Sequence, residues 1–289
     1  MKSISRNLVI AVLVLSACAL FLTAGCSDRR LNNSKSANLK IAINTYESFA
    51  KSTAIDVFVV LVTDPASGDT IAAGELLLHG AYLEGVIDNL PANVLLKFTV
   101  QAIDRQSVVI YSGSVVTAIK ADQLNLIQVQ MRPVVPMMKL TPRHYEFVNL
   151  TQNVEFFVEA RVFNIDSLYG TAFRLTFEES YVWIDSAVVS PHLAEDSVIF
   201  HHNFVDTIDV SYAVSITQTD VTKQLVDANG DGTLARFYFT TTGGSVGAPA
   251  GSSTIGLQVT GMSKTNHDSI PLSSVYTENC RLDFLVEAL

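Results

Sequence analysis

The sequence predicts an all-β protein, two β-sandwiches in series behind an N-terminal export segment. Three observations carry this. Apolar and polar residues alternate with period two in many short runs, as in Leu96, Phe98, Val100 and Ala102 against Lys97, Thr99 and Gln101. Such alternation puts one face of an extended chain into a core and the other into water. Turn-forming clusters separate the runs, and no long helical period follows the first 25 residues.

The export segment comes first. Lys2 and Arg6 precede an apolar stretch from Leu8 to Leu22, and small residues close it before Cys26. This is the n-region, h-region and cleavage pattern of a secretory signal. The stretch is about fifteen residues, short for a membrane span. Leu22-Thr23-Ala24-Gly25-Cys26 resembles the lipobox of bacterial lipoproteins, with Thr23 where the pattern usually has Leu. The resemblance implies a signal peptide over 1–25, cleavage before Cys26, lipidation of its thiol and tethering to a membrane outside the cytoplasm. An ordinary secretory signal with an incidental Cys is the alternative. Ser27, and no Asp, follows Cys26, which in enterobacteria-like sorting implies the outer membrane. Residues 26–38 read as a polar tether, able to reach about 40 Å when extended.

Composition narrows the function classes. Formal net charge is -9 over 289 residues, against the clustered Lys and Arg that nucleic-acid binding needs. Of three cysteines, Cys18 lies in the signal and Cys26 at the lipid site. Cys280 then has no partner in the chain, so an exported protein without a disulfide framework must be held by its core. The alternation Cys280, Leu282, Phe284 points the thiol inward as a small hydrophobe.

The first sandwich is expected over 39–132. Leu39, Ile41 and Ile43 alternate, as do Ile127, Val129 and Met131. The run Ile55 to Val62 is apolar on both parities and reads as a central strand. Asp64-Pro65-Ala66-Ser67-Gly68-Asp69, Asn89-Leu90-Pro91-Ala92-Asn93 and Ser112-Gly113 are turns. The part from Gly74 to Met131 resembles the small Ig-like or transthyretin-like modules of bacterial surface lipoproteins. Pro133, Pro136 and Pro142 mark a connector over 133–142, which could equally lead straight into the next strand.

The second sandwich is expected over 143–289. Its strands read as Phe156–Val162, Phe173–Phe177, Ile208–Ile216, Ala235–Phe239 and Ile255–Val259, each alternating. Three segments resemble cohesin domains. Phe156 to Gly170 has an early strand, an Asn-bearing turn and a Leu168-Tyr169-Gly170 step. Phe173 to Ser180 is similar to the next strand, with Glu178-Glu179 where the family usually has Asp-Pro. Gly230 to Phe239 is similar to the late Gly-rich turn and core strand. The resemblance implies a jelly-roll sandwich and a binding module rather than an enzyme. Cohesins hold dockerin-bearing partners on an exposed sheet face, and relatives hold polysaccharide on aromatic strips.

Asp227, Asn229 and Asp231 match the first half of a calcium loop, but Tyr238 stands at the twelfth position. Asn-Gly and Asp-Gly also make hairpins, and a plain hairpin is the preferred reading. A weak calcium site completed by other loops is the alternative, with no other cofactor expected. Tyr181 and Trp183 share a parity and could stack on sugar rings, with Tyr169 a further contact; core packing is the alternative for a lone Trp. His201 and His202 are adjacent and face opposite ways on a strand. Gly243-Gly244-Ser245-Val246-Gly247 spells Gly-x-Ser-x-Gly, but it sits in a loop of small residues with no helix pattern after it, so it is not a nucleophile elbow; no His-Glu-x-x-His or Cys-x-x-Cys pattern occurs. The reading is a membrane-anchored, non-catalytic envelope lipoprotein whose cohesin-like module binds polysaccharide or a protein such as a dockerin-like module. The alternative is a structural spacer.

Overall fold

The computed structural model describes residues 37–43, 55–79, 82–87, 90–120, 124–148, 153–191, 193, 197–206, 211–242 and 250–285. Cys26, the signal and most of the expected tether lie outside them. The described chain is all-β.

The first sheet uses β1 (Ala37–Ile43), β2 (Val57–Thr63), β3 (Thr70–His79), β4 (Tyr82–Ile87), β5 (Leu95–Ile103), β6 (Val109–Ala118), β7 (Asn125–Val129) and β8 (Arg132–Pro133). Their order is β7-β1-β4-β3-β2-β5-β6-β8, antiparallel except for the β1–β7 pair. The run expected to be central is β2, flanked by β3 and β5. Phe58, Val60 and Val62 of β2 meet Phe98 and Val100 of β5 and Ile127 and Val129 of β7 in one core. The β2–β3 turn is built by Asp64, whose Oδ1 accepts the Ala66 amide at 2.7 Å, and by Gly68 at φ 78°.

The second sandwich has two layers. Its strands are β9 (Met137–Thr141), β10 (His144–Val148), β11 (Glu155–Phe163), β12 (Leu168–Thr176), β13 (Val182–Val189), β14 (Val198–Asp206), β15 (Ser211–Gln218), β16 (Gly232–Thr241), β17 (Gly251–Lys264), β18 (Tyr276–Glu278) and β19 (Cys280–Leu285). One layer runs β10-β19-β17-β12-β15-β14, the other β13-β16-β11-β9-β18. Alternation sends Val158, Ala160 and Val162 of β11 and Phe237 and Phe239 of β16 inward against Phe173 and Leu175 of β12 and Val214 and Ile216 of β15. Phe173 and Phe237 meet edge to face, with ring centroids 6.0 Å apart. Asn164 and Ser167, both at positive φ, turn the chain between β11 and β12.

The proline-bracketed stretch is not a free linker. It carries β9, paired antiparallel to β11 and parallel to β18. The cause is the apolar Met137-Met138-Lys139-Leu140 run. Met138 and Leu140 enter the second core, while Met137 enters the first. A buried polar joint surrounds it. The Tyr111 hydroxyl donates to Glu278 Oε2 at 2.5 Å and accepts from Arg143 Nη2 at 2.6 Å. Arg143 and Glu278 form an ion pair, each side chain 5% exposed. Lys139 Nζ lies 4.6 Å from the Phe163 ring centroid and 5.5 Å from that of Tyr111. Nearby, Asp104 Oδ2 accepts from the Tyr276 hydroxyl at 2.7 Å. The first region, expected as a two-layer sandwich, is instead one continuous eight-stranded sheet, and it is joined to the second sandwich through residues contributed by both.

Candidate functional site

Two sheet faces of the second sandwich present side chains outward, and their characters differ. On the six-stranded layer, strand register arranges the outward residues in rows. Ile199, Thr217, Gly170 and Ser263 form one row; His201, Ser215, Ala172 and Gly261 the next; Asn203, Ala213, Arg174 and Gln258 the third. On β15, β12 and β17 the first two rows carry only small residues, so relief is low there, with the larger Arg174, Gln258, His201 and Asn203 around them. Gly170 keeps it low: a Cβ there would lie 3.1 Å from Ser263 Oγ and 3.2 Å from Thr217 Oγ1. Hydroxyls and amides stand ready to hydrogen-bond, and Arg174 is the guanidinium at the centre of the third row.

The five-stranded layer presents aromatic rings. Phe157 and Tyr238 are cross-strand partners on β11 and β16, ring centroids 6.2 Å apart. The Arg236 guanidinium lies 4.3 Å from the Phe157 ring centroid, and Glu159 Oε1 accepts from its Nη2 at 2.7 Å and Nε at 3.2 Å. Hydrogen bonds to Glu159 and then Tyr238 raise the guanidinium's pKa further above its ordinary value. Trp183 pairs with Thr240, two residues along β16 from Tyr238. It stacks on Phe204 of β14, centroids 5.1 Å apart and planes at 21°. Phe204 in turn meets the buried Tyr212 edge to face, 5.1 Å away. Burial raises the Tyr212 hydroxyl pKa, and its oxygen is hydrogen-bonded to His202 Nδ1.

The sequence-derived candidates separate. Trp183 is on this aromatic face. Tyr181 is not its partner: it sits in the turn before β13, its amide bonded to the Glu178 carbonyl at 3.0 Å, and its ring packs on Phe284 at 4.9 Å. Tyr169 is half-buried on β12 and meets His267 edge to face at 5.4 Å. Sequence alone does not single out Phe157, Tyr238 and Phe204. The available signal was an aromatic residue at the water-facing parity of a strand, as Phe157 is beside inward Phe156.

Asp227, Asn229 and Asp231 form a tight turn. Asp227 Oδ1 accepts the amides of Asn229 at 2.8 Å and Asp231 at 3.0 Å, and those bonds lower its pKa. Asp231 Oδ1 accepts the Asn164 amide at 3.1 Å. Gly230 is at φ 79°, and a Cβ there would lie 2.7 Å from the Ile165 nitrogen. Among the described residues no three His, Cys, Asp or Glu side chains group as a metal site. Two polar groupings were not anticipated. One is the joint around Tyr111. The other is His144 Nε2 and Arg281 Nε on Asp283, at 2.9 Å and 2.8 Å, which ties β10 to β19. Cys280 is buried, and burial pushes its thiol pKa up.

No family model matches the chain, and no curated protein matches it. Solved structures do. The chain is similar to a non-cellulosomal cohesin from the hyperthermophilic archaeon Archaeoglobus fulgidus, with 15% identity over 53% of this chain and 92% of that one, TM-score 0.39. It is similar to the sixth cohesin of Acetivibrio cellulolyticus scaffoldin B, crystallised with a Cel5 dockerin mutant, with 13% identity over 53% and 100%, TM-score 0.41. It is also similar to the Coh-OlpC–Doc435 complex from Clostridium thermocellum, with 12% identity over 53% and 93%, TM-score 0.39. Likeness at this level leaves what the chain binds to its own residues.

Proposed function

We propose that this chain is a lipid-anchored, non-catalytic binding module of the cell envelope, sorted to the outer membrane, that holds a protein partner on the outer face of its six-stranded sheet. The observation that carries the reading is the low-relief array of Gly170, Ala172, Ala213, Ser215, Thr217, Gly261 and Ser263, bordered by Arg174 and Gln258 in the third row. A surface with little relief and many hydrogen-bonding groups suits a folded partner that brings its own contour, with Arg174 as the natural anchor. The sequence resemblance to cohesins names the partner class, a dockerin-like module. The Asp227 turn works without calcium in this reading. Four exposed aromatic rings, three on the other layer and Phe204 on the edge strand β14, favour a binder over a purely structural spacer.

The test is a comparison of envelope proteins recovered with the wild-type chain, with Ala172→Arg plus Ser215→Arg, and with Thr254→Arg as a control on the same layer. A specific protein lost from the double variant and kept by the control supports the reading. A partner recovered equally with all three refutes it. Anchoring is tested separately: Cys26→Ser abolishes labelled palmitate incorporation if Cys26 carries the lipid.

A further inference from the structure

Among the described residues of the second sandwich, four aromatic side chains are exposed: Phe157, Trp183, Phe204 and Tyr238, each between 37% and 39%. All four fall in one band across β11, β16, β13 and the edge of β14. Phe157 and Tyr238 are direct neighbours, Trp183 and Phe204 stack, and Trp183 lies opposite Thr240, two residues along β16 from Tyr238, beside a bulge in β13 between Ile184 and Ser186. Three of the rings lie on the layer opposite the protein-docking face; Phe204, on the edge strand β14 and paired with the buried Tyr212, projects to the other side of its sheet from the docking rows.

We propose that this band is a binding platform for a linear, uncharged polysaccharide. The rings follow one another strand by strand from β11 through β16 and β13 to β14, which matches a narrow chain better than the broad patch of a protein interface. Hydrogen-bonding groups flank the row. Thr240 Oγ1 donates to Asp185 Oδ2 at 2.6 Å beside Trp183, Ser186 pairs with Tyr238, and the Arg236–Glu159 fork stands beside Phe157. A sugar ring has an apolar C–H face and a rim of hydroxyls, so it can stack on the rings while its rim meets these groups. Carboxylates from Asp185 and Glu159 along the row disfavour a polyanion, in keeping with the chain's net charge of -9. The rings are also held in advance: Arg236 lies over Phe157, and Phe204 braces Trp183 against Tyr212. Side chains already ordered lose less freedom on binding.

Trp183 is the only tryptophan in the chain, so the protein's intrinsic emission reads this band directly. The experiment titrates the full chain, in a detergent without a sugar headgroup, with cellohexaose, xylohexaose and mannohexaose. Affinity gels containing the corresponding soluble polymers give a second readout for variants that lack the tryptophan. A saturable emission change with at least one oligosaccharide is expected. Tyr238→Ala weakens binding several-fold to about tenfold, as loss of one stacked ring implies. Trp183→Ala abolishes gel retardation, and Ala172→Arg on the docking face leaves both readouts unchanged. Circular dichroism confirms that each variant is folded. The proposal is overturned by an emission change with none of the sugars, by sugar binding that survives Trp183→Ala and Tyr238→Ala, or by emission that responds only to a protein partner. Loss of sugar binding on Ala172→Arg would overturn the separation of the two faces.

Discussion

Replacing Glu278 by Gln removes the anion from the joint between the first sheet and the second sandwich while keeping its shape. The Arg143 and Glu278 side chains are each 5% exposed, so the guanidinium left behind has little water to replace its partner. Breaking a buried pair from one side costs about 3–5 kcal/mol. Gln still accepts from Tyr111, which places the expected loss at the lower end, about 3 kcal/mol. The internal control is Glu159→Gln. Its pair with Arg236 is exposed by 20% and 34% on the two sides, and pairs of that kind contribute at most about 1 kcal/mol. Urea unfolding followed by circular dichroism and by Trp183 emission measures both. Glu278→Gln should lower the midpoint by about 1 M, and Glu159→Gln by a small fraction of that. Equal, small shifts for the two variants would refute the argument that burial of this joint sets its weight.

The remaining predictions concern single groups. Phe237→Ala removes a fully buried ring that touches Phe173 and Tyr212, and should cost about 3–5 kcal/mol in the same unfolding assay. Burial works against the Asp104 carboxylate, yet the Val108 amide, the Tyr276 hydroxyl and the Gln106 amide together hold its pKa below 3.8. Its ionised form therefore contributes stability that is fully present above that value and lost as pH falls through the lower folded one. The gap between wild type and Asp104→Asn should stay constant near neutrality and close in acid, as melting at a series of pH values will show. Calcium should leave the melting temperature unchanged, because the Asp227 Oδ1 atom already accepts two amides. A calcium-dependent rise would restore the calcium reading of that loop. Cys280 should resist a thiol reagent at pH 8 until the protein is unfolded, since burial both covers the sulfur and raises its pKa.

The core was legible in the sequence because its determinants are local. Alternation in Phe156–Val162 and Ala235–Phe239 placed the inward residues correctly, since neighbours two apart on a strand share a face. Both faces of the candidate site depend on something else, the register between strands distant in the chain. Phe157 meets Tyr238 only through the β11–β16 pairing, and Trp183 meets Phe204 across two different sheets. Tyr111 and Glu278 are separated by 167 positions, beyond any local pattern. Tyr181 shows the limit of parity itself. The i, i+2 rule holds only inside a strand, and Tyr181 lies in the turn before one. The prolines around residues 133–142 left open a connector or a direct lead into the next strand, and the Met137–Leu140 run decides for the strand by entering both cores.

Photocrosslinking from the middle of the six-stranded face tests the proposed function most directly. The crosslinking amino acid replaces Ser215 in the full chain, produced in its native cell, with the same residue at Val116 of the first sheet as the reference position. The account predicts one discrete protein adduct from position 215 that disappears when Ala172→Arg is added, and no such adduct from position 116. An adduct of equal strength from both positions, or none from position 215, would contradict it.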